Sequence, residues 1–84
     1  MNRDEVRGRI EHRKEQLEEI KEEIKKTLKR IVFVTKEETI NMKTIEFLKE
    51  EVNRLEGFVC KQIVLEGEIE KLKELYQNMP KENI

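Results

Sequence analysis

The chain has 84 residues, of which 44% are charged and only 5% aromatic, and its formal net charge is −1. Such a short, polar chain forms one small domain, here residues 1–84, and buries little apolar surface by itself. The balance of charge argues against a general electrostatic grip on nucleic acid or on an anionic membrane. One cysteine excludes an internal disulfide, and one histidine beside it supplies too few ligands for structural zinc. Self-association or docking on a partner is the remaining source of stability.

The chain carries no predicted membrane segment. Its longest uncharged apolar run, residues 31–34, is far shorter than a bilayer span. The first five residues lack the apolar core of a signal peptide. We therefore expect a cytoplasmic protein.

Residues 4–34 predict a first helix. Good helix formers dominate this segment, and apolar residues recur every seven positions in two rows. The Ile10 row comprises Ile10, Leu17, Ile24 and Ile31, and the Val6 row comprises Val6, Arg13, Ile20, Thr27 and Val34. Residues 31–35 could also form a short strand, because four of them are apolar and most are β-branched.

The turn is expected between residues 35 and 44. Thr35 followed by Glu38 fits a capping box for the next helix, with Glu38 reaching back to the cap. Asn41 is a second candidate cap.

Residues 44–78 predict a second helix, which Pro80 ends, leaving residues 80–84 as a frayed tail. Gly57 and Gly67 lie inside it, and each costs about 1 kcal/mol relative to alanine. The segment between them, residues 58–65, could also be a strand. The seam predicted for this helix combines a central row with an Ile45 row. The central row is Leu48, Leu55, Gln62, Ile69 and Tyr76, and the Ile45 row is Ile45, Val52, Val59, Glu66 and Lys73.

Two helices joined by a short turn pack antiparallel, so the predicted fold is an all-α hairpin. The best match of the rows places Leu48 near Ile31 and Leu55 near Ile24. The same register places Ile69 near Ile10, and it sets Arg13 opposite Glu66 as a polar pair within the seam.

One apolar row is left over in this arrangement. The Phe58 row, Phe58, Leu65, Leu72 and Met79, runs beside Ile69 and Tyr76 on the second helix. An isolated hairpin would expose this row as a patch. The sequence therefore predicts that these six residues form a surface for self-association or for a partner, with dimerisation into a four-helix bundle as the favoured outcome.

A basic cluster in the first helix suggests an alternative. Phosphate contacts are conceivable at Arg3, Arg7, Arg9, Arg13 and Lys14. Acidic residues are interleaved with this cluster, and no aromatic side chain lies nearby to stack on bases, so a solvated surface is favoured.

No catalytic, cofactor or metal site is predicted. His12 has no nucleophile or carboxylate placed beside it, and Cys60 is interpreted as a small, half-buried hydrophobic residue. Glu66, Glu70 and Glu74 lack the histidines of a di-metal bundle site. The sequence thus favours a non-enzymatic helical interaction module, such as a small prokaryotic or phage regulator, adaptor or assembly factor. The alternative is a small dimeric nucleic-acid-binding regulator that uses the arginine-rich first helix.

Overall fold

The computed structural model describes residues 2–36 and 39–80, and these form two long helices. Helix α1 spans Arg3–Thr35 and helix α2 spans Met42–Asn78. Both segments that could have been strands, residues 31–35 and 58–65, lie within helices. The all-helical prediction is therefore confirmed, and each helix begins slightly earlier than the sequence pattern indicated.

The cap of α2 is Asn41, not Thr35. The Asn41 side chain accepts a hydrogen bond from the Thr44 backbone N–H at 3.1 Å, and the Asn41 N–H donates to Thr44 Oγ1 at 3.5 Å. This is a reciprocal capping box. Thr35 is the last residue of α1, where its hydroxyl donates to the carbonyl of Val32. The choice of Thr35 was wrong because α1 continues through it, and Glu38 lies outside the described residues.

The start of α1 and the end of α2 meet at the other end of the hairpin. Asn2 caps α1 by accepting a hydrogen bond from the Glu5 N–H at 2.8 Å. Helix α2 ends at Asn78, two residues before Pro80, as the missing N–H and fixed φ of proline require. Of the predicted tail, only Pro80 belongs to the described residues.

The helices run antiparallel, and three cross-helix contacts set their register. Arg3 reaches the carbonyls of Tyr76 and Met79, and Arg13 pairs with Glu68 through a 2.8 Å contact. Near the turn, Arg30 pairs with Glu51 at 3.0 Å. Early residues of α1 thus meet late residues of α2, while late residues of α1 meet early ones.

The face of α1 is the predicted one. Val6, Ile10 and Thr27 are buried, and the remaining apolar members of the Ile10 and Val6 rows are half-buried. Heptad spacing therefore located this side of the seam correctly.

Helix α2 presents a different face from the one predicted. Its buried and half-buried positions are the central row, Thr44, Glu51 and the Phe58 row, with Phe47 and Glu68 at the edge, whereas every member of the Ile45 row is exposed. With 100° of rotation per residue, this corresponds to turning the helix by roughly 60° about its axis. The prediction that the Ile45 row faces α1 was wrong, and so was the pairing of Arg13 with Glu66, because the rotation brings Glu68 to Arg13 instead.

The hairpin is slender, with extents of 68 × 15 × 13 Å. Only Val6, Ile10 and Ile69 form its buried apolar core among the described residues. Two helices side by side cannot enclose a large interior, so most apolar side chains remain partly in contact with water.

Candidate interaction surface

A stripe of exposed apolar residues follows the outside of α2 over residues 42–63. We call it the outer stripe, and it comprises Met42, Ile45, Val52, Val59 and Ile63. Each of these side chains is between 37% and 66% exposed. Since scattered apolar residues are normal on a protein surface and aligned ones are not, this alignment marks a candidate interaction site.

The stripe lies on one defined flank of the hairpin. Two clefts between the helices identify the opposite flank. Gln16 and Lys61 line one of them, and Arg30 and Phe47 line the other. The Ile45 row therefore borders the other flank, together with the heptad position of α1 that contains Leu28. Leu28 is itself exposed, so it widens the apolar surface at the level of Val52.

Near the turn, the seam behind the outer stripe contains a polar network. Thr27 is fully buried and its hydroxyl donates to the carbonyl of Glu23 at 2.8 Å. Arg30 donates from Nη2 to this hydroxyl at 3.2 Å and from Nε to Glu51 at 3.0 Å. Glu51 is only 4% exposed, and Arg54 approaches its other carboxylate oxygen at 3.8 Å. The network satisfies every buried polar atom in this part of the seam, as burial demands.

Two charges of opposite sign interrupt the outer stripe. Lys49 and Glu56 are exposed and lie seven residues apart, between the apolar positions of the stripe. Within the described residues, neither side chain belongs to an ion pair of this chain. Both remain available to charges on an approaching surface.

The six residues predicted as the association surface occupy the intramolecular seam. Phe58, Leu65, Leu72 and Met79 are half-buried, and Ile69 is buried to 6% exposure. Two clefts between the helices show their neighbours directly, with Leu65 beside Ile20 and Leu72 beside Arg13. These side chains therefore hold α1 and α2 together, and the unpartnered row is the Ile45 row.

The sixth residue, Tyr76, belongs to a clasp that joins the ends of the hairpin. The Arg3 guanidinium carbon lies 4.1 Å from the centre of the Tyr76 ring, within the range of a cation–π contact. Arg3 also donates to the carbonyls of Tyr76 and Met79, at 3.3 and 3.0 Å. Tyr76 lies in the last turn of α2 and Met79 is its C-cap, and this is where backbone carbonyls lack the usual helical partners.

The basic cluster is partly occupied by partners within the chain. Arg7 pairs with Asp4, Arg13 pairs with Glu68, and Arg3 forms the clasp described above. Arg9 lines a cleft with Arg13 and Glu68, and Lys14 is exposed. The five predicted phosphate contacts thus do not converge on one cationic surface, because acidic residues stand among them.

His12 and Cys60 are both exposed. The expectation that Cys60 is half-buried was wrong, because the rotation of α2 moves its position out of the seam. Cys60 borders an open cleft of about 460 Å³ together with Gln16, Ile20 and Leu65. The part of the chain that the structure describes contains no cluster of potential metal ligands, and none of its helices has the length and apolar character to span a bilayer.

Comparison with protein-family models, with curated proteins and with solved structures finds no match to this chain. The assignment of the candidate surface therefore rests on the geometry and chemistry of this chain alone.

The sequence pattern did not reveal the outer stripe because it placed three of its residues, Ile45, Val52 and Val59, in the seam. One signal could have located it. A straight pair of helices keeps one heptad frame, and only the frame of the central row and the Phe58 row runs unbroken from Thr44 to Met79. Its single charged exception, Glu51, has an opposite charge available in Arg30.

Proposed function

We propose that this protein is a non-enzymatic helical interaction module that works by association, in the first place with a second copy of itself. The observation that carries the proposal is the balance between core and surface. Among the described residues, three hydrophobic side chains are buried, whereas eleven large ones are exposed. A two-helix hairpin with so thin a core gains its remaining stability when another surface covers its apolar side chains.

Removing the outer stripe from water favours association. Complete burial of a valine, isoleucine or methionine side chain contributes about 1.5–3 kcal/mol. The five residues of the outer stripe are partly buried already, so each offers a fraction of this amount. Because they are aligned, one partner can cover all of them at once, which isolated exposed residues do not allow.

The basic cluster supports a nucleic-acid function less well. Three of its five cations already have acceptors in this chain, and each of these contacts would compete with phosphate. The net charge of −1 adds no long-range attraction.

Sedimentation equilibrium of the purified chain from low to high micromolar concentration tests the proposal. We expect reversible association, most simply a dimer, with the average mass rising with concentration. Fluorescence anisotropy with labelled single-stranded RNA and duplex DNA, at low and physiological salt, is the parallel measurement. A chain that stays monomeric throughout would overturn the proposal, and salt-sensitive binding of nucleic acid that is lost in an Arg9→Ala/Lys14→Ala variant would favour the nucleic-acid function instead.

A further inference from the structure

The outer stripe has the periodicity of a second helical seam. Its apolar members and the two charges between them follow steps of three and four residues along α2. The complete series is Met42, Ile45, Lys49, Val52, Glu56, Val59 and Ile63. This spacing is what one helix needs in order to pack lengthwise against another helix. A helix with two such faces is built to contact two neighbours, and α1 supplies only one of them.

The arrangement of polar and apolar residues around α2 points the same way. Near the turn, Thr44 and Glu51 face α1, while Ile45 and Val52 face outward. The rotation that the sequence pattern predicted would bury Ile45 and Val52 instead, but it would bring Glu66 and Lys73 into the seam and expose the Phe58 row. The observed orientation is favourable when the outward face is also covered, because the apolar residues then leave water as well.

We propose that the outer stripe of α2 packs antiparallel against the outer stripe of a second copy, around a two-fold axis that passes near Val52. This inference rests on the proposed function and specifies its surface, its partner and its orientation. A two-fold contact is self-complementary, so each residue pair occurs twice. Ile45 of one copy meets Val59 of the other, and Val52 meets Val52. The result is a four-helix assembly in which the two α2 helices are central.

Charge complementarity selects the antiparallel orientation. With the axis near Val52, Lys49 of each copy lies level with Glu56 of the other copy to within one residue. The two symmetry-related pairs are then both attractive. A parallel arrangement would place Lys49 beside Lys49 and Glu56 beside Glu56, and both contacts would be repulsive.

The exposed area of the chain is sufficient for such an interface. The solvent-accessible surface is 6923 Å², whereas a compact monomer of 10.2 kDa exposes about 5,300 Å². The excess is about 1,600 Å² per chain, and a stable interface requires about 800 Å² from each partner. The elongated hairpin therefore exposes more surface than an interface of this kind requires.

Charge reversal tests the proposal without disturbing the fold, because Lys49 and Glu56 are exposed. Lys49→Glu leaves two glutamates at each contact, and Glu56→Lys leaves two lysines. Each variant alone should associate about tenfold more weakly than the unchanged protein. When the two variants are mixed, every contact regains opposite charges, so a heterodimer should form in preference to either homodimer. Native mass spectrometry with one variant labelled with ¹⁵N measures this preference.

Lys61→Glu is the matched control, because Lys61 lies on the same helix but borders the cleft of the opposite flank. It should leave association unchanged. If the unchanged protein dimerises but the two stripe variants associate as strongly as this control and mix at random, the proposed surface is wrong and the proposed function stands. If the unchanged protein is monomeric at every concentration, both are wrong.

Discussion

The two ends of the hairpin are held together by different chemistry. At the open end, where α1 begins and α2 ends, Val6, Ile10 and Ile69 form the buried apolar core. At the turn end, the buried positions are Thr27 and Glu51, linked through Arg30. The open end has the larger share of cohesive apolar burial, while the turn end has the directional contacts that fix register.

This difference shows how a short hairpin divides cohesion and specificity along its length. Apolar side chains tolerate sliding, because hydrophobic burial is not directional. A buried carboxylate requires a register that places a cationic partner beside it, since an unpaired buried charge is costly. The polar network therefore defines the register that the apolar end stabilises. It also frees the apolar residues of α2 near the turn for the outer stripe.

The largest effect is expected at the open end. Ile69→Ala should lower the free energy of unfolding by about 2–4 kcal/mol, because it removes a buried side chain from the thin core. Leu75→Ala is the matched control on the same helix, since Leu75 is exposed, and it should change stability by less than about 0.5 kcal/mol. Urea denaturation at one fixed protein concentration measures both. If both variants lost the same free energy of unfolding, the assignment of Ile69 to the core and of Leu75 to the surface would be wrong.

The next effect is expected at the turn end. Arg30→Ala should destabilise by about 1–3 kcal/mol, because Glu51 stays buried and loses its close partner. Arg54→Ala provides the control, since Arg54 approaches the same carboxylate at 3.8 Å with a side chain that is 63% exposed, and it should cost less than about 0.5 kcal/mol. Thermal denaturation followed by circular dichroism gives the comparison. A larger loss for Arg54→Ala would contradict the assigned network.

A smaller effect should distinguish the two candidate caps. Asn41→Ala should cost about 1 kcal/mol through loss of the capping box of α2, whereas Thr35→Ala should be close to neutral. Hydrogen exchange of the Thr44 amide supplies a local measurement, because this amide donates to the Asn41 side chain. Faster exchange in the Thr35 variant than in the Asn41 variant would reverse the assignment.

The smallest effect concerns the outer faces, where the two ends should behave alike. An added Cβ at Gly57 or at Gly67 meets nothing within 4 Å, so alanine should stabilise the helix by about 0.5–1 kcal/mol at either position. Guanidinium denaturation is suited to these gains. A loss of stability at only one glycine would mean that the added methyl group meets an obstacle there. The outer faces of the two ends would then differ, as their seams do.

The sequence predicted the number of helices, their approximate bounds and the buried face of α1. Helix propensity and the unbroken rows of α1 sufficed, because only one apolar face exists there. Helix α2 has apolar rows on both sides of its central row, and the frame that contains the Phe58 row is the better match only if the charge of Glu51 in that frame can be buried. The decision depends on Glu51 finding Arg30 across the seam, which is a tertiary contact.

The same ambiguity explains the misplacement of the candidate surface. The sequence pattern predicted that the Ile45 row lies in the seam and the Phe58 row on the surface. The structure places the Phe58 row in the seam and the Ile45 row on the surface. The heptad pattern predicted one apolar row outside the seam, and which row lies outside depends on the rotation of α2. The sequence could not predict the Arg3 clasp. Its hydrogen bonds go to backbone carbonyls, and these are present at every residue whatever its side chain.

That clasp has a kinetic consequence. Arg3 and Met79 are separated by 76 residues along the chain, whereas Arg30 and Glu51 are separated by 21. Bringing the more distant pair together costs about 1 kcal/mol more in loop-closure entropy. We therefore expect the hairpin to close from its turn and to form the clasp last. Arg30→Ala should slow folding, while Arg3→Ala should chiefly accelerate unfolding, and stopped-flow kinetics with the opposite pattern would refute this order.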